Sequence, residues 1–324
     1  MSNGNGGPGG PVIIAKGLSK KFDEEYAVRE VSLEIYPGQI FGFIGPSGCG
    51  KTSTVRLLTG YYSPTEGEAH VFGQSSIKLK DKERRRIGYM PQLFALYPDL
   101  TVWENLNFSA SLYGMGLFRG RRLKKILDFV DLNEDRRKLT SQISGGMQRR
   151  LSLAAAMVHE PDILFLDEPT AGIDPILRKK FWDYFQELRN QGRTLFVTTQ
   201  YVSEAAYCDR IGVMVEGSLL CVDTPEGLRK KAYGGDIVDI TTEENQQLDL
   251  NYFHQLSELP FLKGRPKLID ENKVRVLVEE ASTAIPTLIE FTNSKNIVVK
   301  SIEEYAPPFE DVFVHLVKKE EETS

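Results

Sequence analysis

The residues best suited to chemistry form one short run, Gly45-Pro46-Ser47-Gly48-Cys49-Gly50-Lys51-Thr52. They fit the pattern G-x-x-x-x-G-K-[ST], which binds phosphate when it links a buried strand to a helix. Both flanks fit: Ile40-Phe41-Gly42-Phe43-Ile44 precedes the run, and Ser53-Thr54-Val55-Arg56-Leu57-Leu58 follows it. Three glycines let the backbone curl so that successive N–H groups point into one concavity, and the helix start adds the positive end of its dipole. Lys51 would reach the β- and γ-phosphates of a nucleotide, and the Thr52 hydroxyl would take one position on Mg²⁺. A plain glycine-rich turn would explain neither Lys51-Thr52 nor the flanks.

A second pair of reactive groups ends another apolar run. Ile163-Leu164-Phe165-Leu166 precedes Asp167-Glu168, so two carboxylates should emerge at the carboxyl end of a buried strand, where α/β sheets place their ligands. Asp167 is then the Mg²⁺ support, and Glu168 is the group free to polarise an attacking water. Gln92 ends the run Ile87 to Pro91 and is a candidate Mg²⁺ or water contact, a weak signal by itself. Ser144-Gly145-Gly146 precedes a run of strong helix formers and reads either as a second anion site or as an ordinary helix cap. Phe22 lies ahead of the phosphate loop and reads equally as an adenine-stacking ring or as an edge aromatic.

The elements that must hold these groups follow from periodicity and punctuation. Residues 11–16, 28–35, 40–44, 68–72, 87–90, 163–166 and 194–199 read as strands, and 211–215 with 218–221 as a hairpin turning at Glu216-Gly217 that closes the sheet. Apolar residues at helical spacing mark 101–113, 123–132, 149–158 and 176–189 as helices, so about 100–158 forms a helical insert. The charged stretch 78–86 reads as a solvated helix face, and Arg119 to Lys125 as a basic patch that faces either lipid headgroups or solvent.

Composition narrows the class. The chain has 324 residues and a formal net charge of −5, which gives no global attraction to nucleic acid or anionic lipid and leaves only local basic runs for either. Cys49, Cys208 and Cys221 have no metal-ligand spacing and fit a reducing cytosol. No apolar run reaches the roughly 18 residues of a membrane span, so any membrane part is expected on another chain. Residues 1–10, mostly Gly, Asn, Pro and Ser, read as a flexible segment.

The order and spacing of Gly45 to Thr52, Gln92, Ser144-Gly145-Gly146-Met147-Gln148, Asp167-Glu168 and Asp174 closely resemble ATP-binding cassette (ABC) ATPases. The resemblance implies an α/β fold of the P-loop NTPase type: a mixed-sheet cassette over 11–230 with a helical subdomain at about 100–158, followed by a small α+β domain over 231–324. It implies ATP and Mg²⁺ as ligands. The nucleotide would be held by Phe22, Gly45, Pro46, Ser47, Gly48, Cys49, Gly50, Lys51, Thr52, Ser53, Gln92 and Asp174, with Ser144, Gly145, Gly146 and Gln148 as the signature loop. Thr52, Gln92 and Asp167 would serve the metal, and Lys51, Glu168 and Gln200 the reaction. A head-to-tail dimer of identical or different subunits is also implied, with the signature loop of one capping ATP on the other.

One residue departs from the family. Gln200 stands where a switch histidine is usual, and an amide can donate a hydrogen bond but has no titrating proton. With Tyr201 and Glu204-Ala205 after it, this segment is similar to daunorubicin-type and other type-2 exporter ATPases. Such a subunit would drive a separate transmembrane permease of the ABC-2 type, sitting cytoplasmic and peripheral on the inner face of the cell membrane, without nucleic acid. Competing readings are a soluble cassette ATPase acting on ribosomes or DNA, and a nucleotide-binding regulator without turnover. Beyond Lys231, four strands (236–242, 266–270, 273–278, 296–302) and helices at 250–256, 282–294 and 309–317 suggest a ferredoxin-like α+β unit.

Overall fold

The computed structural model of the chain describes residues 9–93, 95–243 and 250–322; residues 1–8 of the expected flexible segment lie outside them. Two compact units divide at Thr224/Pro225. The first contains β1 (Ile13–Phe22), β2 (Glu25–Ile35), β3 (Ile40–Ile44), α1 (Lys51–Leu58), β4 (Glu66–Val71), β5 (Gln74–Ser75), α2 (Asp81–Arg84), β6 (Ile87–Met90), α3 (Val102–Leu112), α4 (Gly120–Phe129), α5 (Gly145–Met157), β7 (Ile163–Asp167), α6 (Pro175–Asn190), β8 (Thr194–Thr199), β9 (Arg210–Val215) and β10 (Ser218–Asp223). The second contains α7 (Pro225–Tyr233), β11 (Asp236–Thr242), α8 (Leu250–Ser257), β12 (Lys267–Asp270), β13 (Lys273–Val278), α9 (Ala281–Ser294), β14 (Val299–Glu304) and α10 (Phe309–Glu321).

The strands of the first unit form one sheet in the order β5-β4-β1-β2-β10-β9-β3-β8-β7-β6. Its β9-β3-β8-β7-β6 half is parallel throughout, and β3, β7 and β8 are buried at every position. That is the signature of parallel strands covered on both faces, and it explains why they read as continuous apolar runs. Phe196 stacks between Phe41, Phe43 and Phe165 with ring centroids 5.4–5.6 Å apart. Each such fully buried ring contributes about 1.5–3 kcal/mol of hydrophobic stabilisation.

Register then does the positioning. Ile44 pairs with Thr199, Asp167 with Thr198, and Met90 with Leu166, so the carboxyl ends of β3, β8, β7 and β6 share one edge. Every loop that leaves this edge carries a residue singled out above.

The structure departs from the sequence expectations in several places. β1 and β2 run on through a bulged register to a hairpin at Phe22 and Glu25, so Phe22 ends a strand. The β9–β10 hairpin turns at Glu216 (φ 47°) and Gly217 (φ 83°), both left-handed. It does not close an edge of the sheet. β10 lies in the interior, joined to β2 by the parallel pair Ser218 and Arg29, and so links the antiparallel and parallel halves. The charged stretch 78–86 is α-helical only over Asp81–Arg84, after a 3-10 turn that ends at Lys78. α7 groups with the second unit because it packs on α10, so the division falls ahead of residue 230.

In the second unit the strand order is β12-β13-β11-β14, antiparallel throughout. With α8 after β11 and α9 after β13, this is the ferredoxin-like βαββαβ topology. Val238, Ile240, Val274, Val276, Val278, Ala284 and Leu288 form its core.

Candidate functional site

The loop after β3 is shaped by what crowds it. A Cβ on Gly45 would lie 2.1 Å from the Met214 carbonyl oxygen, and one on Gly50 (φ 106°) would lie 2.2 Å from that of Ala27. Only glycine fits between β9 and β2 here. The Gly45 N–H donates to the Thr199 carbonyl at 3.3 Å, and the Cys49 carbonyl accepts from Gly217 N–H at 3.0 Å. α1 starts at Gly50 with no side-chain cap, so its first-turn N–H groups remain available to an anion. Burial pushes the Cys49 thiol up, which suits a small loop filler rather than a thiolate.

Lys51 is buried, and its ammonium donates to the Gly45 and Pro46 carbonyls at 2.9 Å each; it stands 3.4 Å from Glu168 Oε1. On the other oxygen of Glu168, Gln92 Nε2 donates at 2.9 Å. The Glu168 backbone sits at φ 47°, a left-handed conformation costly for a residue with a side chain, and its N–H donates to Thr198 Oγ1 at 2.9 Å. Such strain persists where surrounding structure over-determines it, and it gathers at working sites.

Asp167 is 1% exposed. Its Oδ1 accepts from Thr198 Oγ1 at 2.7 Å and from Thr52 Oγ1 at 3.1 Å, while its Oδ2 is buried with no hydrogen-bond partner. Burial raises this carboxyl above its ordinary value against those two hydrogen bonds. A buried carboxylate oxygen with no partner, beside a threonine hydroxyl, fits a hard divalent cation of the Mg²⁺ kind, which takes one or two protein oxygens and completes its shell with phosphate and water.

The structure therefore brings Lys51, Thr52, Gln92, Asp167 and Glu168 into one contact network, with Gly45, Pro46, Ser47, Gly48, Cys49, Gly50 and Ser53 on the adjoining loop and helix start. Gln200 is exposed just beyond β8 on the same sheet edge. Phe22 is 41% exposed and edge-on to Tyr62, with centroids 5.3 Å apart.

Ser144 and Asp174 serve locally as helix caps. Ser144 Oγ accepts from Met147 N–H at 3.3 Å, and Asp174 Oδ1 from the N–H groups of Ile176 and Leu177 at 3.0 Å. Ser144 and Gly145 are exposed, Gly146 faces Leu177, and Gln148 donates to the Thr140 carbonyl.

Two contributors escaped the sequence reading. Thr198 holds both the Asp167 carboxylate and the Glu168 N–H from the neighbouring strand; its place two residues before Gln200 was the only available signal. Arg149, buried in α5, reaches the carbonyls of Gln92 (3.2 Å), Glu168 (3.4 Å) and Ala171 (2.8 Å). One guanidinium thus ties together the loops after β6 and β7. Nothing in sequence separates it from Arg150 beside it, which serves the Val130 and Asp131 carbonyls.

A phosphate loop on a parallel sheet edge, with a buried acidic pair on a neighbouring strand, defines a nucleoside-triphosphate-binding protein. Residues 28–171 match the family model of the ABC transporter. The Escherichia coli (strain K12) protein named probable multidrug ABC transporter ATP-binding protein YbhF is 39% identical over 240 residues, 74% of this chain and 42% of that protein, so the chain spans less than half of that relative. The daunorubicin resistance ATP-binding protein DrrA3 of Streptomyces coeruleorubidus is 33% identical over 306 residues, covering 94% of this chain and 95% of the relative. Among solved structures, the dimeric bacterial ABC transporter cassette MJ0796 is 29% identical, with a TM-score of 0.61 over 65% of this chain and 98% of that one. The chain belongs to the ABC transporter ATP-binding protein family. Among the described residues no helix is long and apolar enough to cross a membrane.

Proposed function

We propose that the chain is the ATP-hydrolysing subunit of an exporter, energising a separate transmembrane subunit of the ABC-2 type from the cytoplasmic face of the membrane. The observation that carries the chemistry is Glu168, held between Lys51 and Gln92 beside the unpartnered oxygen of Asp167. Names of relatives that span the same length, including DrrA3, support export of a drug-like compound.

In this reading the N–H groups of residues 45–53 and the Lys51 ammonium hold the ATP phosphates, and Lys51 exchanges the loop carbonyls for phosphate oxygens. Thr52 and Asp167 hold Mg²⁺, which when bound neutralises phosphate charge. Glu168 accepts the proton of a water that attacks the γ-phosphorus as the bond to the β–γ bridging oxygen breaks; ADP leaves and the proton passes to solvent. Gln92 fixes the Glu168 carboxylate and joins the metal's surroundings, and Gln200 donates to a γ-phosphate oxygen without exchanging a proton.

Ser144, Gly145, Gly146 and Gln148 act in trans. The Ser144 hydroxyl and the N–H groups of Gly145 and Gly146 complete the cradle on a second nucleotide-binding subunit, Gln148 holding the loop through the Thr140 carbonyl, with Asp174 at the same interface and Phe22 beneath the adenine. No part of the chemistry calls for nucleic acid.

Steady-state hydrolysis with Mg²⁺ tests this. Turnover should rise faster than linearly with protein concentration and vanish in Glu168→Gln and in Ser144→Arg. Tight ATP binding without turnover in the parent chain, with its transmembrane partner present, would turn the reading to a nucleotide-binding regulator.

A further inference from the structure

The loop between α3 and α4 presents side chains that the hydrolytic site does not use. Leu117 and Phe118 are 90% and 105% exposed, and Leu112, at the end of α3, is 70% exposed. Isolated exposed apolar residues are ordinary, but adjacent side chains held out by a built support are not. The support is Arg119. Its Nε donates to Asn107 Oδ1 at 2.8 Å, its Nη1 to the Met115 carbonyl at 2.7 Å, and its Nη2 to Ser111 Oγ. A guanidinium with three internal partners fixes the base of the loop and leaves the Leu-Phe tip outside.

The charge around this tip is predominantly positive. α4 buries Leu123, Ile126 and Leu127 and exposes Arg121, Lys124 and Lys125, with no acidic residue in its first turn. The Arg85 guanidinium approaches Gly114 on the same loop. The nearby acids are Asp128 and Glu160, and Glu160 pairs with Arg122 at 3.3 Å. A local excess of cations on a chain of net charge −5 is a directed feature, not a consequence of composition.

We propose that Leu112, Leu117 and Phe118, with Arg121, Lys124 and Lys125, form a contact for an anionic lipid surface. Strongly exposed apolar side chains next in sequence to a cluster of exposed basic ones match the composition of such a surface, with acyl chains for the first and anionic headgroups for the second. The Lys and Arg stems also extend far enough to hold their charges in the headgroup layer while the leucines and the Phe118 ring reach the acyl chains. A protein groove would need acids paired with these cations around an apolar pocket, whereas a lipid surface supplies both at any orientation. The contact requires neither nucleotide nor turnover, so it stands apart from the hydrolytic reading.

The test is flotation of the full chain with vesicles of phosphatidylcholine, with and without phosphatidylglycerol. Binding is expected only with the anionic lipid, falling with added salt. Removing the cations in Arg121→Gln/Lys124→Gln/Lys125→Gln should weaken it about fivefold per charge. Leu117→Ser/Phe118→Ser should weaken it at least about tenfold. A Lys318→Gln control in the second unit should leave it unchanged, and hydrolysis in solution should be unaffected by all three variants. No binding to anionic vesicles, or binding insensitive to both patch variants, overturns the proposal. So does loss of association with a transmembrane subunit in detergent while vesicle binding persists, which assigns the patch to a protein.

Discussion

Each unit buries one strand aspartate to 1% exposure, Asp167 at the carboxyl end of β7 and Asp239 within β11, and the two are handled oppositely. Asp239 of β11 receives two hydrogen bonds from Arg275, at 2.7 and 2.9 Å, and an ion pair from Lys273 at 2.9 Å. Although burial alone would raise it, these hydrogen bonds and charges hold its carboxyl below the ordinary value. Asp167 of β7 receives two hydroxyl hydrogen bonds, keeps one oxygen unpartnered, and is shifted upward by burial. A buried acid completed by its own chain is structural; one left incomplete is poised for a ligand of opposite charge. The contrast separates architecture from site within one molecule.

The strongest challenge to this contrast is Glu168→Gln, which keeps shape and burial while removing the basic oxygen beside Asp167. Turnover should fall about 10²–10⁴-fold with ATP still bound, measured as phosphate release against equilibrium nucleotide binding. Unchanged turnover would move the base elsewhere.

Asp167→Asn tests the unpartnered oxygen directly. Mg²⁺-dependent nucleotide affinity should drop about 10–100-fold. Without Mg²⁺, melting at neutral pH should be unchanged or higher, because a carboxyl raised in the folded state stabilises in acid and loses that contribution as pH climbs through its folded value. A marked loss of stability would make Asp167 as structural as Asp239.

The complementary change, Asp239→Asn, should leave nucleotide binding intact and weaken the second unit by about 1–3 kcal/mol, since it strands Arg275 and Lys273, both partly solvated. Hydrogen exchange across β11 and β13 reads this locally. Equal protection in parent and variant would remove Asp239 from the structural role.

Acid sharpens the comparison further. His159 in the first unit stacks on Tyr113 at 3.5 Å, its Nε2 lies 3.0 Å from the Ile87 carbonyl, and burial lowers its pKa to about 4. The unfolded chain takes up that proton near 6.5, so the contribution is complete above 6.5 and fades as pH falls toward about 4. The loss should reach up to about 2 kcal/mol by pH 5 and be reduced in His159→Phe, followed by chemical denaturation at several pH values. Asp239 has the same sign in a more acidic window: its contribution stands above its ordinary 3.8 and fades only in stronger acid.

Much of the site was legible because its parts are local. Gly45 to Thr52 carries its own turn, anion cradle and lysine, and the apolar runs before Asp167 and Gln92 mark buried strands whatever their neighbours. Ser144 was legible as a helix cap for the same reason, although sequence did not separate cap from ligand; the capping role of Asp174 came only with the structure. Thr198 and Arg149 were not legible, because a threonine in a strand and an arginine in a helix acquire meaning only through the partner across the gap.

Sequence by itself determined most of the strands, the phosphate loop, the acidic pair and the alternation of strands and helices in the second unit, because backbone conformation and hydrophobic period are set within a few residues. Tertiary structure decided the rest. It put β10 inside the sheet, fixed Glu168 in a left-handed conformation, let one arginine bind the loops after two strands, and left one aspartate incomplete while closing the other. The physical reason is range. A hydrogen-bond partner dozens of residues away, and the burial that makes its absence costly, exist only once strand register has brought the two together.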